Sequence, residues 1–140
     1  MDVRDHLRDA LRTALAEAGV DPLPDEIALE RPANLDHGAW SSNVALATAK
    51  KVGKNPRELG QALVDALSVN PPAHVTGIEI AGPGFVNFRL ADTWLYDVLI
   101  DVLDRGIGGY ARPDLGNGVH VNVEFVSANP NKPLHAGHGR

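Results

Sequence analysis

The chain has 140 residues, enough for one domain with a hydrophobic core, and its 44% apolar and 22% charged residues argue against wholesale disorder. No apolar run approaches the roughly 20 residues of a membrane span, and the start lacks a secretory leader's apolar stretch, so we expect a cytoplasmic protein without membrane contact. The absence of cysteine excludes disulfides and thiolate metal sites. The net charge of −5 argues against a protein whose whole surface is basic and binds nucleic acid non-specifically.

Helical spacing and capping residues predict three helices in the first half of the chain. The first begins after Asp2, which can cap it, and ends at Gly19. The second begins at Ser41 or Ser42 and runs through an alanine-rich stretch. The third begins at Asn55, which is followed by a proline at the first helical position and by a glutamate three residues after the cap.

Alternating residues predict strands at 26–30, 75–81 and 85–90, the last two joined by a Gly-Pro-Gly turn. Asp92 is predicted to cap a fourth helix that Gly106 closes. The predicted buried face of this helix consists of Leu95, Val98, Leu99, Val102 and Leu103. We therefore expect residues 1–105 to form a complete α+β domain, in which helices pack on a small antiparallel sheet.

The composition changes after this domain. Residues 106–118 contain five glycines and one proline, which is typical of an interdomain linker. Residues 119–126 then alternate as one strand, and a polar loop and the first turn of a helix follow. One strand and one helical turn cannot bury their apolar side chains. We therefore expect residues 119–140 to be the first piece of a second domain.

The last residues combine features that suit a phosphate group. A helix amino end offers unpaired N–H groups, and Gly137 permits close approach to the backbone. His135 and His138 are three residues apart and could donate to phosphate oxygens from one side of the helix. Spacing alone leaves open an ordinary surface turn or a small metal- or phosphate-binding protein, although zinc is disfavoured because no further ligand motif is present.

The longer string VEFVSANPNKPLHAGHGR, at 123–140, resembles the segment around the HIGH motif of class I arginyl-tRNA synthetases. The motif is HAGH at 135–138, preceded by the family's S-x-N-P and V-E elements. The resemblance implies that His135, Gly137 and His138 bind ATP and that the two histidines stabilise the transition state of arginyl-adenylate formation. It also implies that Lys132 substitutes for a lysine missing from a degenerate KMSKS loop.

The same resemblance implies an arginine-binding pocket and a fold for the second domain. Glu124 and Asn129 would hold the substrate arginine, because a guanidinium prefers a carboxylate and a nearby carbonyl oxygen. Ser127 would line the same pocket. Residues 119–140 would then be the start of a truncated Rossmann-like catalytic domain, with no metal ligands of its own.

The resemblance extends more loosely to the domain that begins arginyl-tRNA synthetases. The matching pieces are WSSNVAL at 40–46, AK at 49–50 and GPGFVNF at 82–88. In that family the domain contacts the elbow of the tRNA and reads its D-loop. The resemblance therefore implies that the front part of this chain binds arginine tRNA.

The strand at 85–90 suits such a contact. Val86, Phe88 and Leu90 alternate on a core face, whereas Phe85, Asn87 and Arg89 lie on the opposite face. We expect this second row to be exposed, so that the ring stacks a splayed base, the amide pairs with its edge and the guanidinium meets a phosphate. The alternative is that Phe85 packs under a helix and Asn87 ends the turn.

A cationic cluster precedes the third helix. It consists of Lys50, Lys51, Lys54 and Arg57, with no acidic residue between them. Charge alone favours a solvated helix end and leaves a local nucleic-acid contact open.

The resemblance implies a parent enzyme that joins arginine to its tRNA with ATP and Mg²⁺. We expect the 140 residues to be monomeric, to supply tRNA recognition and part of the ATP and arginine sites, and to hold no cofactor tightly. Adenylate formation needs ATP and arginine positioned together, so we expect no aminoacylation from this chain alone. The alternative is a free-standing RNA-binding or interaction module without catalysis.

Overall fold

The computed structural model describes residues 2–112, 116–124, 126, 128 and 131–139. Four α-helices and three β-strands lie in the first of these ranges, together with a short 3₁₀ turn, and a second 3₁₀ turn lies in the last. In chain order the elements are α1 (Val3–Glu17), a 3₁₀ turn (Leu35–His37), β1 (Trp40–Ser42), α2 (Val44–Ala49), α3 (Pro56–Val69), β2 (Val75–Ala81), β3 (Phe85–Leu90), α4 (Thr93–Gly109) and a 3₁₀ turn (Ala136–Gly139).

Helices α1 and α3 begin where the capping residues predict. The carboxylate of Asp2 accepts from the Arg4 backbone N–H at 3.1 Å, and the Asn55 amide oxygen accepts from the Arg57 N–H at 2.9 Å. Each helix then buries one apolar stripe in the common core, which contains Leu7, Leu11, Leu15, Leu59 and Leu63. Local capping and helical spacing therefore determine both helices.

The predicted start of the second helix is wrong by two or three residues. Trp40–Ser42 forms strand β1, and α2 begins at Val44, whose N–H donates to the Ser42 hydroxyl at 3.3 Å. The predicted strand at 26–30 is also wrong, because only Glu30 pairs, in an isolated bridge to Ser41. Both differences come from β1, whose three residues are too few to show a strand pattern.

The three strands form an antiparallel sheet in the order β1-β3-β2, and the two longer strands have the predicted bounds. On one face of central β3, Phe88 lies between Trp40 and Ile78, and Val86 lies between Ser42 and Ile80. Phe88 and Val86 are fully buried in the core formed with α1, α2 and α3. The expected α+β fold of helices packed on a small antiparallel sheet is confirmed.

The Gly-Pro-Gly turn between β2 and β3 packs against the start of α3 and is hydrogen-bonded to it. A Cβ on Gly84, at φ +140°, would lie 2.8 Å from the Pro56 carbonyl oxygen, so only glycine fits without movement. On the other side of the turn, the guanidinium of Arg57 donates to the Gly82 carbonyl at 2.7 Å. The position of Phe85, the next residue, is therefore tied to the first turn of α3.

Helix α4 contradicts the predicted buried face. None of its residues is buried, and Leu95, Leu99 and Leu103 are 44%, 57% and 80% exposed. Asp92 makes no side-chain capping bond, and Gly106, at φ +63°, kinks the helix, which continues to Gly109. The apolar periodicity correctly predicts a helix. It does not predict burial, because the core is already filled by α1, α2, α3 and the sheet.

The segment after α4 shows little regular structure in the residues described there. The predicted strand at 119–126 is absent from residues 119–124, where Val119, Val121 and Val123 are 69%, 75% and 68% exposed. A strand requires a partner strand, and none is provided within the described part of the chain. No helix in the described ranges is long and apolar enough to cross a membrane.

Candidate functional site

The outer face of β3 carries the three residues predicted to contact RNA. Phe85, Asn87 and Arg89 alternate along the strand, opposite the core residues Val86 and Phe88. They therefore share one face of the sheet, as predicted.

The three side chains differ in how accessible they are. Phe85 is 38% exposed and the Arg89 side chain is 44% exposed, whereas Asn87 is only 4% exposed. The expectation of an exposed row is therefore wrong at Asn87. It occupies the middle of the central strand, directly between Ser41 of β1 and Glu79 of β2. An approaching ligand would meet Phe85 and Arg89 before the amide.

The guanidinium of Arg89 is held in one orientation. Its Nε donates to the Glu79 carboxylate at 3.3 Å, and a terminal nitrogen donates to the Asp36 carbonyl at 2.6 Å. Asp36 belongs to the 3₁₀ turn at Leu35–His37, so this bond joins the turn to the sheet. An exposed ion pair contributes little stability. We therefore interpret the contact with Glu79 as one that orients the guanidinium.

The cationic cluster divides into three parts. Lys54 donates to the Ala18 carbonyl at the end of α1, whereas Arg57 donates to the turn that precedes Phe85. Lys50 and Lys51 are exposed at the end of α2. Arg57 therefore brings a cation next to the candidate RNA face, which the sequence pattern alone did not reveal. The available signal was its position beside the Asn55 cap, but only the packing of Gly84 on Pro56 connects the two segments.

A cleft lies between the start of α1 and α4. Trp40 lines it, with the guanidinium of Arg31 5.1 Å and that of Arg4 5.8 Å from the ring centre. Arg4 Nε also donates to Asp2 at 2.7 Å. Burial raises the pKa of Asp2, but the hydrogen bonds and charge of Arg4 outweigh it, so this pKa lies below its usual value. The same pairing raises the pKa of Arg4. These contacts secure the start of α1.

The HAGH segment forms a compact turn. The Gly137 N–H donates to Nδ1 of His135 at 3.2 Å, and a Cβ on Gly137 would lie 3.0 Å from Cε1 of the same ring. Because Nδ1 accepts a hydrogen bond, the neutral ring carries its proton on Nε2. Gly137 therefore lets the ring fold back on the turn and sets its tautomer.

The remaining predicted site residues are only partly described. Lys132 and Glu124 are exposed. Ser127 and Asn129 lie outside the described residues, and so does the side chain of His138. In the parts of the chain that are described, no group of three or more His, Cys, Asp or Glu residues could hold a metal ion.

Comparison with known proteins gives consistent results. Residues 5–90 match the family described as the arginyl-tRNA synthetase N-terminal domain. The chain is 42% identical over 139 residues to an arginine–tRNA ligase from Salinibacter ruber and 48% identical over 136 residues to one from Ralstonia nicotianae. These alignments cover 99% and 96% of this chain.

Two solved structures that resemble this chain are arginyl-tRNA synthetases. Thermus thermophilus arginyl-tRNA synthetase matches 96% of the chain and 20% of its own, with 28% identity and a TM-score of 0.54. Plasmodium falciparum arginyl-tRNA synthetase matches 71% of the chain and 18% of its own, with 15% identity and a TM-score of 0.56, which shows the fold alone. The chain spans about a quarter of the length of the curated relatives, 25% and 22% for the two named above.

Proposed function

This chain belongs to the family of arginyl-tRNA synthetase N-terminal domains, and from that premise we propose that it is the tRNA-binding front segment of an arginine–tRNA ligase. The parent enzyme would attach arginine to its tRNA with ATP and Mg²⁺, in the cytoplasm. The observation that carries the proposal is the outer face of β3, which presents a half-exposed aromatic ring at Phe85 and an oriented guanidinium at Arg89. The relatives, which are named arginine–tRNA ligases, support the ligase over a free-standing RNA-binding module.

We propose that this face meets the D-loop at the elbow of arginine tRNA. Splayed bases in a loop can stack on an aromatic ring, which Phe85 offers at the exposed start of β3. Arg89 and Arg57 would neutralise the phosphates on either side of that base. Asn87 would reach the base edge only if its neighbours on the sheet move apart. The protein would bind as a monomer.

The HAGH segment would contribute to adenylate formation in the parent enzyme. By resemblance, His135 would donate to a phosphate oxygen, and Gly137 keeps the backbone accessible. By resemblance, His138 and Lys132 would assist at the same phosphates. Glu124, Ser127 and Asn129 would hold the arginine. ATP, carried with Mg²⁺, would supply the adenylyl group when bound.

We propose the same division of the chain that its composition predicts. Residues 1–105 would recognise tRNA, and residues 119–140 would begin the Rossmann-like catalytic domain. Residues 106–118 would be the linker between these two domains. Adenylate formation requires both substrates to be aligned. This chain alone is therefore expected to bind tRNA without aminoacylating it.

A chimera tests the catalytic part of the proposal. In it, this chain replaces the matching first quarter of the Salinibacter ruber ligase, with which it shares 42% identity. We expect the chimera to aminoacylate arginine tRNA. His135→Ala should lower kcat for adenylate formation about 10²- to 10³-fold, the effect of removing one donor to a developing negative charge.

The control for this experiment is His120→Ala, an exposed histidine outside the motif, which should leave kcat unchanged. Pyrophosphate exchange in the presence of arginine measures the adenylate step directly. An active chimera in which His135→Ala and His120→Ala behave alike would contradict the assigned role of the HAGH segment.

A further inference from the structure

Helix α4 turns its apolar side to solvent. At 100° per residue its large apolar side chains fill an arc of roughly 200°. Val102 on this arc is half-buried, whereas the exposed side chains range from 36% at Val98 to 80% at Leu103. The exposed members are Leu95, Tyr96, Val98, Leu99, Ile100 and Leu103, which we call the α4 apolar face. A contiguous apolar surface of this kind marks an interaction site.

Helix α4 contacts the domain through Thr93 and Asp97, at the start of its opposite, polar side. Nε2 of His74 lies 2.7 Å from the Asp97 carboxylate, and its Nδ1 lies 2.8 Å from the Thr93 hydroxyl. Farther along the same side, Arg105 pairs with Asp101 at 2.6 Å within the helix itself. The contacts of His74 join the first turns of α4 to the domain, and the exposed apolar residues from Leu95 to Leu103 stay available to a partner.

We propose that the α4 apolar face is the docking surface for the catalytic remainder of the ligase, an inference that rests on the proposed function. The curated relatives match nearly all of this chain, yet about three quarters of their length lies elsewhere. Helix α4 begins directly after the matched domain at 5–90 and leads into the glycine-rich segment at 106–118. In the relatives, the rest of the enzyme is covalently attached to the aligned segment and is therefore close enough to contact this face.

The size of the face favours a tethered partner over a second copy of the chain. The face runs from Leu95 to Leu103, about 13 Å along a helix about 10 Å wide, so it offers on the order of 130 Å² of projected area. A stable complex between free proteins buries about 800 Å² on each partner. A covalent tether raises the effective concentration to the millimolar range, and a small apolar contact then suffices.

The charge of α4 disfavours RNA as the occupant. Asp97, Asp101 and Asp104 line the polar side that borders the apolar face, and Arg105 is paired with Asp101. RNA phosphates would be repelled by these carboxylates. An apolar protein surface is the partner that fits.

Cysteine labelling tests the proposal, because the natural chain contains no cysteine. Leu99→Cys lies on the apolar face, and Asp104→Cys is the exposed control on the polar side. Each is placed both in the chain alone and in the Salinibacter ruber chimera, and labelling at that residue is followed by mass spectrometry. We expect Leu99→Cys to react about tenfold or more slowly in the chimera than in the chain, and Asp104→Cys to react equally fast in both.

Equal reactivity of Leu99→Cys in both proteins would overturn the proposal. Protection of Leu99→Cys in the chain alone that grows with protein concentration would also overturn it, in favour of a second copy. The intact Salinibacter ruber ligase provides a measurement without engineering: hydrogen exchange in its helix aligned with α4 should be about tenfold or more slower than in α4 of this chain. Equal exchange would contradict docking.

The labelling result is independent of the proposed function, because it requires neither tRNA nor ATP. A chimera that protects Leu99→Cys but cannot aminoacylate would contradict the proposed function alone. An active chimera with an unprotected Leu99→Cys would contradict the docking surface alone.

Discussion

Phe88→Ala is expected to lower the free energy of unfolding by about 3–5 kcal/mol, the range for removing a fully buried aromatic ring. Phe88 is 0% exposed and lies on the central strand between Trp40 of β1 and Ile78 of β2. The missing ring would leave a cavity where the sheet meets α2 and α3, and the surrounding backbone cannot close it. Urea denaturation followed by circular dichroism measures the loss.

Phe85→Ala is the matched control, since the same residue is changed three positions earlier on the opposite face of β3. Phe85 is 38% exposed, so its removal should cost about 1 kcal/mol or less. Equal destabilisation by the two variants would contradict the assignment of core and outer faces to this strand.

Phe85→Ala is expected to weaken binding of arginine tRNA by about 5- to 150-fold. Stacking of one base on an aromatic ring contributes roughly 1–3 kcal/mol, and about 1.4 kcal/mol corresponds to a factor of ten. Phe85→Tyr keeps the ring and should retain most of the affinity. Both variants are titrated at the same salt concentration, because phosphate contacts make affinity strongly dependent on salt.

If Phe85→Ala binds tRNA as tightly as the natural chain, the proposal that Phe85 stacks on a base is contradicted. A loss shared equally by Phe85→Tyr would assign the effect to altered packing at the turn. Stacking predicts that only Phe85→Ala loses affinity for tRNA. The comparison requires that both variants unfold at the same urea concentration.

Local signals in the sequence predicted much of the fold. The bounds of β2 and β3 follow from alternation on either side of a turn that only glycine can make, at Gly84. The starts of α1 and α3 follow from Asp2 and Asn55, whose side chains cap their helices as expected. These features depend on residues within one or two turns of each other, which is why the sequence reveals them.

Features that depend on contacts between residues far apart in the sequence could not be predicted. The burial of Asn87 depends on its pairing with β1, and β1 is a three-residue strand without a pattern of its own. The proximity of Arg57 to the RNA face depends on how the turn packs against α3. The periodicity of α4 gives an apolar face but does not tell what covers it. The residues at 119–124 have the pattern of a strand, but no strand pairs with them in the part of the chain that the structure describes.

The candidate site was predicted unevenly for the same reason. Alternation placed Phe85 and Arg89 on one face, and the structure agrees. The roles of Glu124, Lys132 and the HAGH segment come from resemblance alone. Their assignment remains a proposal, which the chimera tests.

The most direct test of tRNA recognition by the outer face of β3 is a double-mutant cycle measured by titration. The natural chain and Phe85→Ala are each titrated with arginine tRNA and with the same tRNA altered in its D-loop. If Phe85 contacts the D-loop, either change alone weakens binding, and the two together weaken it little further, because they remove one shared contact. Losses of affinity that multiply independently, or a D-loop change without effect, would contradict this account.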